Sequence, residues 1–92
     1  MRYEWDPAKD AENRRKHGLG LEAGIAVLED WCSVSWIDER FDYGEVRFIT
    51  LGRASRNVLF VVTTHIEEDW TRIISVRRAE KHEEQWLYHG RP

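Results

Sequence analysis

Arginine recurs at strand-like spacing in the C-terminal half of this sequence. Arg47 and Arg53 stand six residues apart around the run GEVRFITLGR, and Arg72 and Arg77 stand five apart in TRIISVRR. Guanidinium groups held on a stiff sheet can grip a phosphate bidentately and stabilise the added negative charge of a pentacoordinate phosphorane. Glu45, two residues before Arg47, is the carboxylate available as general base for a hydroxyl. Near the N-terminus, Lys9, Asn13 and Lys16 share one helical face at spacings of four and three, with His17 at its edge. His17 directly precedes Gly18, where the partial negative charge of a helix C-terminus favours the imidazolium, a form able to protonate a leaving oxygen. The same residues also have plainer uses: Glu45 can pair with an arginine, and His17 can simply close its helix.

The elements that must position these groups are legible from local punctuation. Asp6 suits an N-cap, Pro7 the first helical position and Gly18 the left-handed closing residue, so the spacing predicts a helix over 7–17. Its interior is polar all round, with Tyr3, Trp5, Leu19 and Leu21 left to staple its ends to the body. A second helix is expected from Leu21, where Leu21, Ile25, Val27 and Leu28 form an apolar stripe. Four strands follow, CSVSWID, GEVRFITLGR, VLFVVTTH and TRIISVRR, the last alternating Arg72, Ile74, Val76 and Arg78 against Thr71, Ile73, Ser75 and Arg77. Short turns, GRASRN and IEEDW, join them in antiparallel fashion, and AEKHEEQWLYH makes a final helix docked by Trp86 and Leu87. The expected fold is α+β: two N-terminal helices, a four-stranded antiparallel sheet and a C-terminal helix, in one domain over residues 1–92.

Composition narrows the function. With 41% hydrophobic and 34% charged residues the chain reads as a soluble globular protein, without a membrane span or signal-peptide pattern, and the cytoplasm is the expected location. The lone Cys32 is expected to be a small, partly buried hydrophobe. A net charge of −3 argues against generic nucleic-acid binding, but the charge is unevenly spread. Glu29 to Glu45 holds six acids and one base, whereas Arg47 to Arg56 and Thr71 to Ala79 each hold three arginines and no acid. His17, His65, His82 and His89 show no metal-ligand spacing, so neither metal nor cofactor is expected. A helix-turn-helix is absent from the pattern, which argues against a DNA-binding regulator, and a non-enzymatic module that binds a basic partner protein stays open.

Three segments together, EWDPAKDAENRRKHGL, ERFDYGEVRFITLGR and RIISVRRAEKHE, resemble the BrnT-type toxins, ribonucleases of bacterial type II toxin–antitoxin pairs with a RelE-like fold. The family's pattern falls on Trp5, Asp6, Lys9, Asn13, Lys16, His17, Gly18, Glu45, Arg47, Gly52, Arg72, Ser75, Arg77 and Tyr88. Val76 stands where alanine is usual, and Leu21 where an aromatic is common. The resemblance implies metal-independent RNA cleavage by the 2′-hydroxyl, with growth inhibition as its outcome. In that scheme Glu45 is the base, His17 the acid with Lys16 as its substitute, and Arg47, Arg72 and Arg77 the clamp. Lys9, Asn13, Lys16, Arg53 and Ser75 would contact RNA. The implied partner is an antitoxin with a ribbon-helix-helix domain, through which alone DNA would be contacted.

Overall fold

Asp6 begins the first helix as its side chain requires: the carboxylate accepts the Ala8 N–H at 2.9 Å, and Pro7 follows with no N–H to satisfy. Gly18 ends it in the left-handed region at φ 70°, donating its N–H to the Arg14 carbonyl. The computed structural model, which describes residues 1–91, thus contains α1 at Pro7–His17. The expected second helix divides into a 3-10 turn at Leu21–Ala23 and a short α2 at Gly24–Leu28, and α3 spans Lys81–His89.

The sheet corrects the expectation of four antiparallel strands. It has five, β1 Arg2–Glu4, β2 Val34–Ile37, β3 Phe48–Ala54, β4 Asn57–Glu67 and β5 Trp70–Arg78, in the order β1-β5-β4-β3-β2. The four longer strands are antiparallel neighbours, while β1 pairs parallel with β5 through Arg2↔Trp70, Tyr3↔Thr71 and Glu4↔Arg72. Three residues carry no alternation to read, and their partner lies some 68 positions away. β3 also starts later than expected, so Glu45 and Arg47 lie in the long connection that precedes it.

Each face of the sheet has its own core. The 3-10 turn and α2 cover Leu59, Val61, Ile73 and Val76 with Leu21 and Val27, and Tyr3, Trp5 and Leu19 pack at the margin as expected of staples. α3 covers the other face, setting Trp86 and Leu87 against Ile49, Leu51, Val58, Phe60 and Val62. Gly24 and Gly52 let α2 approach closely, since a Cβ on either would come within 3.0 Å of a valine side-chain carbon. A bulge breaks the simple alternation expected of β5. Val62 pairs with Ser75 but the next residue, Thr63, pairs with Ile73, so Ile74 is the extra residue. Ile73 and Val76 consequently share one core, and Ile74 joins the other.

β1 covers the outer edge of β5 only as far as Arg72, and α1 covers that edge beyond it. The Asn13 side chain pairs with Val76 as a neighbouring strand would: its amide nitrogen donates to the Val76 carbonyl at 2.8 Å and its oxygen accepts the Val76 N–H at 3.1 Å. The same nitrogen donates to the Leu19 carbonyl at 2.7 Å. Asp10 adds a second tie by accepting the Leu21 N–H at 2.8 Å, and this bond, with Arg14 beside it, lowers the Asp10 pKa. A helix with no apolar stripe is therefore fastened to the sheet through polar side chains.

Candidate functional site

Two adjoining clefts lie between α1 and the sheet. The larger, of about 440 Å³, is lined by Glu4, Lys9, Glu45, Arg47 and Arg72 together with Trp5 and Ile74. The smaller, of about 210 Å³, is lined by Lys9, Glu12, Asn13, Lys16, His17, Ile74 and Ser75. Lys9 and Ile74 belong to both, so the clefts form one path along the edge of β5.

The loop that carries Glu45 and Arg47 is fixed at several points. The Asp38 N–H donates to the Arg47 carbonyl at 2.8 Å, and the Thr64 hydroxyl donates to the Val46 carbonyl at 2.8 Å. Since Thr64 pairs with Arg72 across β4 and β5, this second bond brings the loop over the arginine. Arg47 donates to Glu45 at 2.9 Å and lies 4.0 Å above the Tyr43 ring. Farther back, the Asp38 carboxylate accepts Arg40 Nε and a second Arg40 nitrogen at 2.8 Å each and the Tyr43 hydroxyl at 3.0 Å. Arg40 foremost holds the Asp38 pKa down to about 2 against the opposing effect of burial.

The arginines fall into two kinds. Arg72 donates to Glu4 at 2.6 Å, and both partners are substantially exposed (46% and 30%), so the pair contributes only about 0–1 kcal/mol and an arriving phosphate can displace the carboxylate. Arg77 instead makes two bonds to Glu83, at 2.7 and 2.9 Å, with a guanidinium 3.9 Å above the Phe60 ring. Glu83 is 8% exposed; burial would raise its pKa, but the guanidinium and the Glu80 N–H outweigh that and lower it. Breaking such a pair strands a buried charge, so Arg77 is committed.

Of the residues singled out in the sequence, Lys9, Asn13, Lys16, His17 and Ser75 meet in one cleft, and Lys9, Glu45, Arg47 and Arg72 in the other. Arg53 and Arg77 do not join them. Asn13 lines the smaller cleft with the lysines, but it is only 5% exposed and both ends of its amide are engaged by backbone, so it anchors α1 to the sheet. Arg53 lies six residues beyond Arg47, about 20 Å along an extended chain, and hydrogen-bonds Tyr88. Arg77 sits with Phe60 and Glu83 outside both clefts. Cys32 is exposed, not partly buried, because it lies in the turn before β2, as does Trp31 at 95% exposure. Among the described residues no three His, Cys, Asp or Glu converge as metal ligands, and no helix is long and apolar enough to cross a membrane.

The family model described as ribonuclease toxin, BrnT, of type II toxin-antitoxin system matches residues 5–83. The chain belongs to the BrnT family. The match takes in α1, the start of α3 and every residue that lines the two clefts except Glu4, and it includes every residue of the BrnT pattern except Tyr88. In structure the chain is similar to the Brucella abortus ribonuclease toxin BrnT, known from a crystal structure at 1.1 Å resolution. The two superpose with a TM-score of 0.65 at 20% sequence identity, over 88% of this chain and 99% of the Brucella chain. That likeness establishes a shared BrnT fold. No curated protein sequence matches the chain.

Proposed function

We propose that this BrnT family member is a metal-independent endoribonuclease toxin that cleaves RNA along the α1–β5 path, and so inhibits translation and growth in the cytoplasm. The observation that carries the proposal is the meeting of Glu45, Arg47, Arg72 and Lys9 in one cleft, opening directly onto Lys16, His17 and Ser75. Glu45 accepts the proton of a ribose 2′-hydroxyl, and the freed oxygen attacks the adjacent phosphorus. Arg47 and Arg72 hold the phosphorane, their exposed carboxylate partners giving way to it. The bond to the 5′-oxygen then breaks, the oxygen takes a proton, and a 2′,3′-cyclic phosphate remains.

Lys9 is the proton donor, in place of the His17 expected from sequence. The two are eight residues apart along α1, about 12 Å, and only Lys9 lines the cleft that holds Glu45. Lys16, His17 and Ser75 receive the neighbouring phosphate. The same reading groups the fold with the RelE-like nucleases and gives the protein a cognate antitoxin, whose ribbon-helix-helix domain carries any DNA contact.

The test is incubation of purified protein with a synthetic RNA, with and without EDTA, followed by end analysis of the fragments. Cleavage that survives chelation and leaves 2′,3′-cyclic phosphate ends is expected. Intact RNA, or cleavage that needs added divalent metal, would overturn the proposal.

A further inference from the structure

A third hollow lies on the α3 side of the sheet, away from both clefts. It encloses about 290 Å³ between Trp36, Trp86, Ile49, Phe60, Arg40 and Glu39. Phe60 forms its floor, with Arg40 of the lining 5.3 Å from the ring centroid and Arg77, at the margin beside the lining residue Glu83, 3.9 Å from it. Each is held in place by a two-point carboxylate bond, Arg77 by Glu83 and Arg40 by Asp38. The Asp38 side chain is 0% exposed, so neither carboxylate is free to leave. With charge and donors committed in this way, both arginines are poor phosphate clamps. What they offer is a planar outer surface, because both remain partly open to solvent. Trp36 and Trp86 wall the hollow edge to face at 5.8 Å, and Arg91 stacks 5.1 Å over Trp36.

Planar cations backed by aromatic rings are the surfaces on which unpaired nucleobases stack. The hollow is also in line with the proposed cleavage path. Phe60 pairs with Arg77 four residues along β4 from Thr64, which pairs with Arg72, a separation of about 13 Å on the same face. The geometry points to a nucleobase platform: the Arg40–Phe60–Arg77 layer receives an unstacked base of the RNA strand whose phosphate lies at Arg72. This rests on the ribonuclease reading above, and it moves Arg77 from gripping phosphate to holding a base.

The test uses an RNA 2′-O-methylated throughout, which cannot be cleaved by its own hydroxyls, in two forms that differ only by one base. One carries 2-aminopurine, the other an abasic residue, at each position in turn near the cleavage point. Wild-type protein is expected to quench the 2-aminopurine at one position and to bind that RNA about tenfold more tightly than its abasic twin. Arg40→Lys and Arg77→Lys keep the charge and lose the plane. They are expected to abolish the preference while leaving affinity for the abasic RNA unchanged, which an unfolded protein would not do. Arg72→Ala should weaken both RNAs equally. Absence of any base preference in the wild type, at every position, would overturn the platform while leaving the ribonuclease reading in place; absence of all RNA binding would overturn both. Lysine variants that retain the preference but lose a cognate antitoxin would assign the hollow to the protein partner, and the platform would fall.

Discussion

Replacing Asn13 with alanine removes the one side chain that lets a polar helix close a sheet edge. Three hydrogen bonds go with it, to the Val76 carbonyl, the Val76 N–H and the Leu19 carbonyl. Val76 is fully buried, and an orphaned buried polar group costs about 1–3 kcal/mol. Water can reach a sheet edge, so the lower end applies, and three groups at that rate give a loss of about 3 kcal/mol. A domain of this size is expected to have only about 5–14 kcal/mol in total, and each kcal/mol moves its melting temperature by about 4–8 °C. Urea unfolding followed by tryptophan fluorescence measures the loss, and hydrogen exchange at the Val76 amide locates it. Asn13→Asp should do no better, because a carboxylate would face two carbonyls. A loss below about 1 kcal/mol, or a Val76 amide that exchanges no faster than in the wild type, would refute the anchoring argument.

Other consequences are equally specific. Gly52→Ala places a methyl group 3.0 Å from a Val27 side-chain carbon and 3.1 Å from Ser33 Cβ, so a loss of roughly 1–3 kcal/mol is expected in thermal melts, and an unchanged melt would contradict the close approach of α2. Asp38 is stabilising because its folded pKa, about 2, lies below its unfolded one; that contribution is present above the unfolded value of 3.8 and is lost as pH falls toward 2. Asp38→Asn should therefore cost about 2 kcal/mol near pH 6, with the gap to wild type closing between pH 4 and 2 in acid unfolding curves. Lys9→Ala should lower the rate of the chemical step, while His17→Ala should chiefly weaken substrate binding, as single-turnover kinetics over a range of protein concentration would separate.

Signals carried by neighbouring residues were the ones legible in the sequence. Asp6, Pro7 and Gly18 bound α1 because caps act within a few positions, and the alternation of the four longer strands survives almost unbroken. β1 is three residues with a distant partner, and the bulge at Ile74 arises only when β4 and β5 are laid side by side. The site divides in the same way. Residue types marked Lys9, Lys16, His17, Glu45, Arg47 and Arg72 as capable of chemistry, and the fold gathers them. Spacing on α1 puts Asn13 with the lysines, and it does line their cleft, but its hydrogen bonds are set by Val76, 63 positions away. Arg72 and Arg77 look equivalent in TRIISVRR; only the burial of Glu83 against Arg77 separates a displaceable partner from a fixed one. The Asp38–Arg40–Tyr43 cluster lies within six residues, yet sequence does not show that Arg40 and Tyr43 both turn onto the buried Asp38 carboxylate.

In the proposed function RNA is cut where α1 meets β5 and not elsewhere on the arginine-bearing sheet. Single-turnover cleavage of one RNA by Arg72→Ala and by Arg53→Ala tests it directly, since both changes remove one exposed arginine from the same sheet. A loss of at least tenfold is expected for the first and a wild-type rate for the second. Equal losses, or a loss confined to Arg53→Ala, would contradict it.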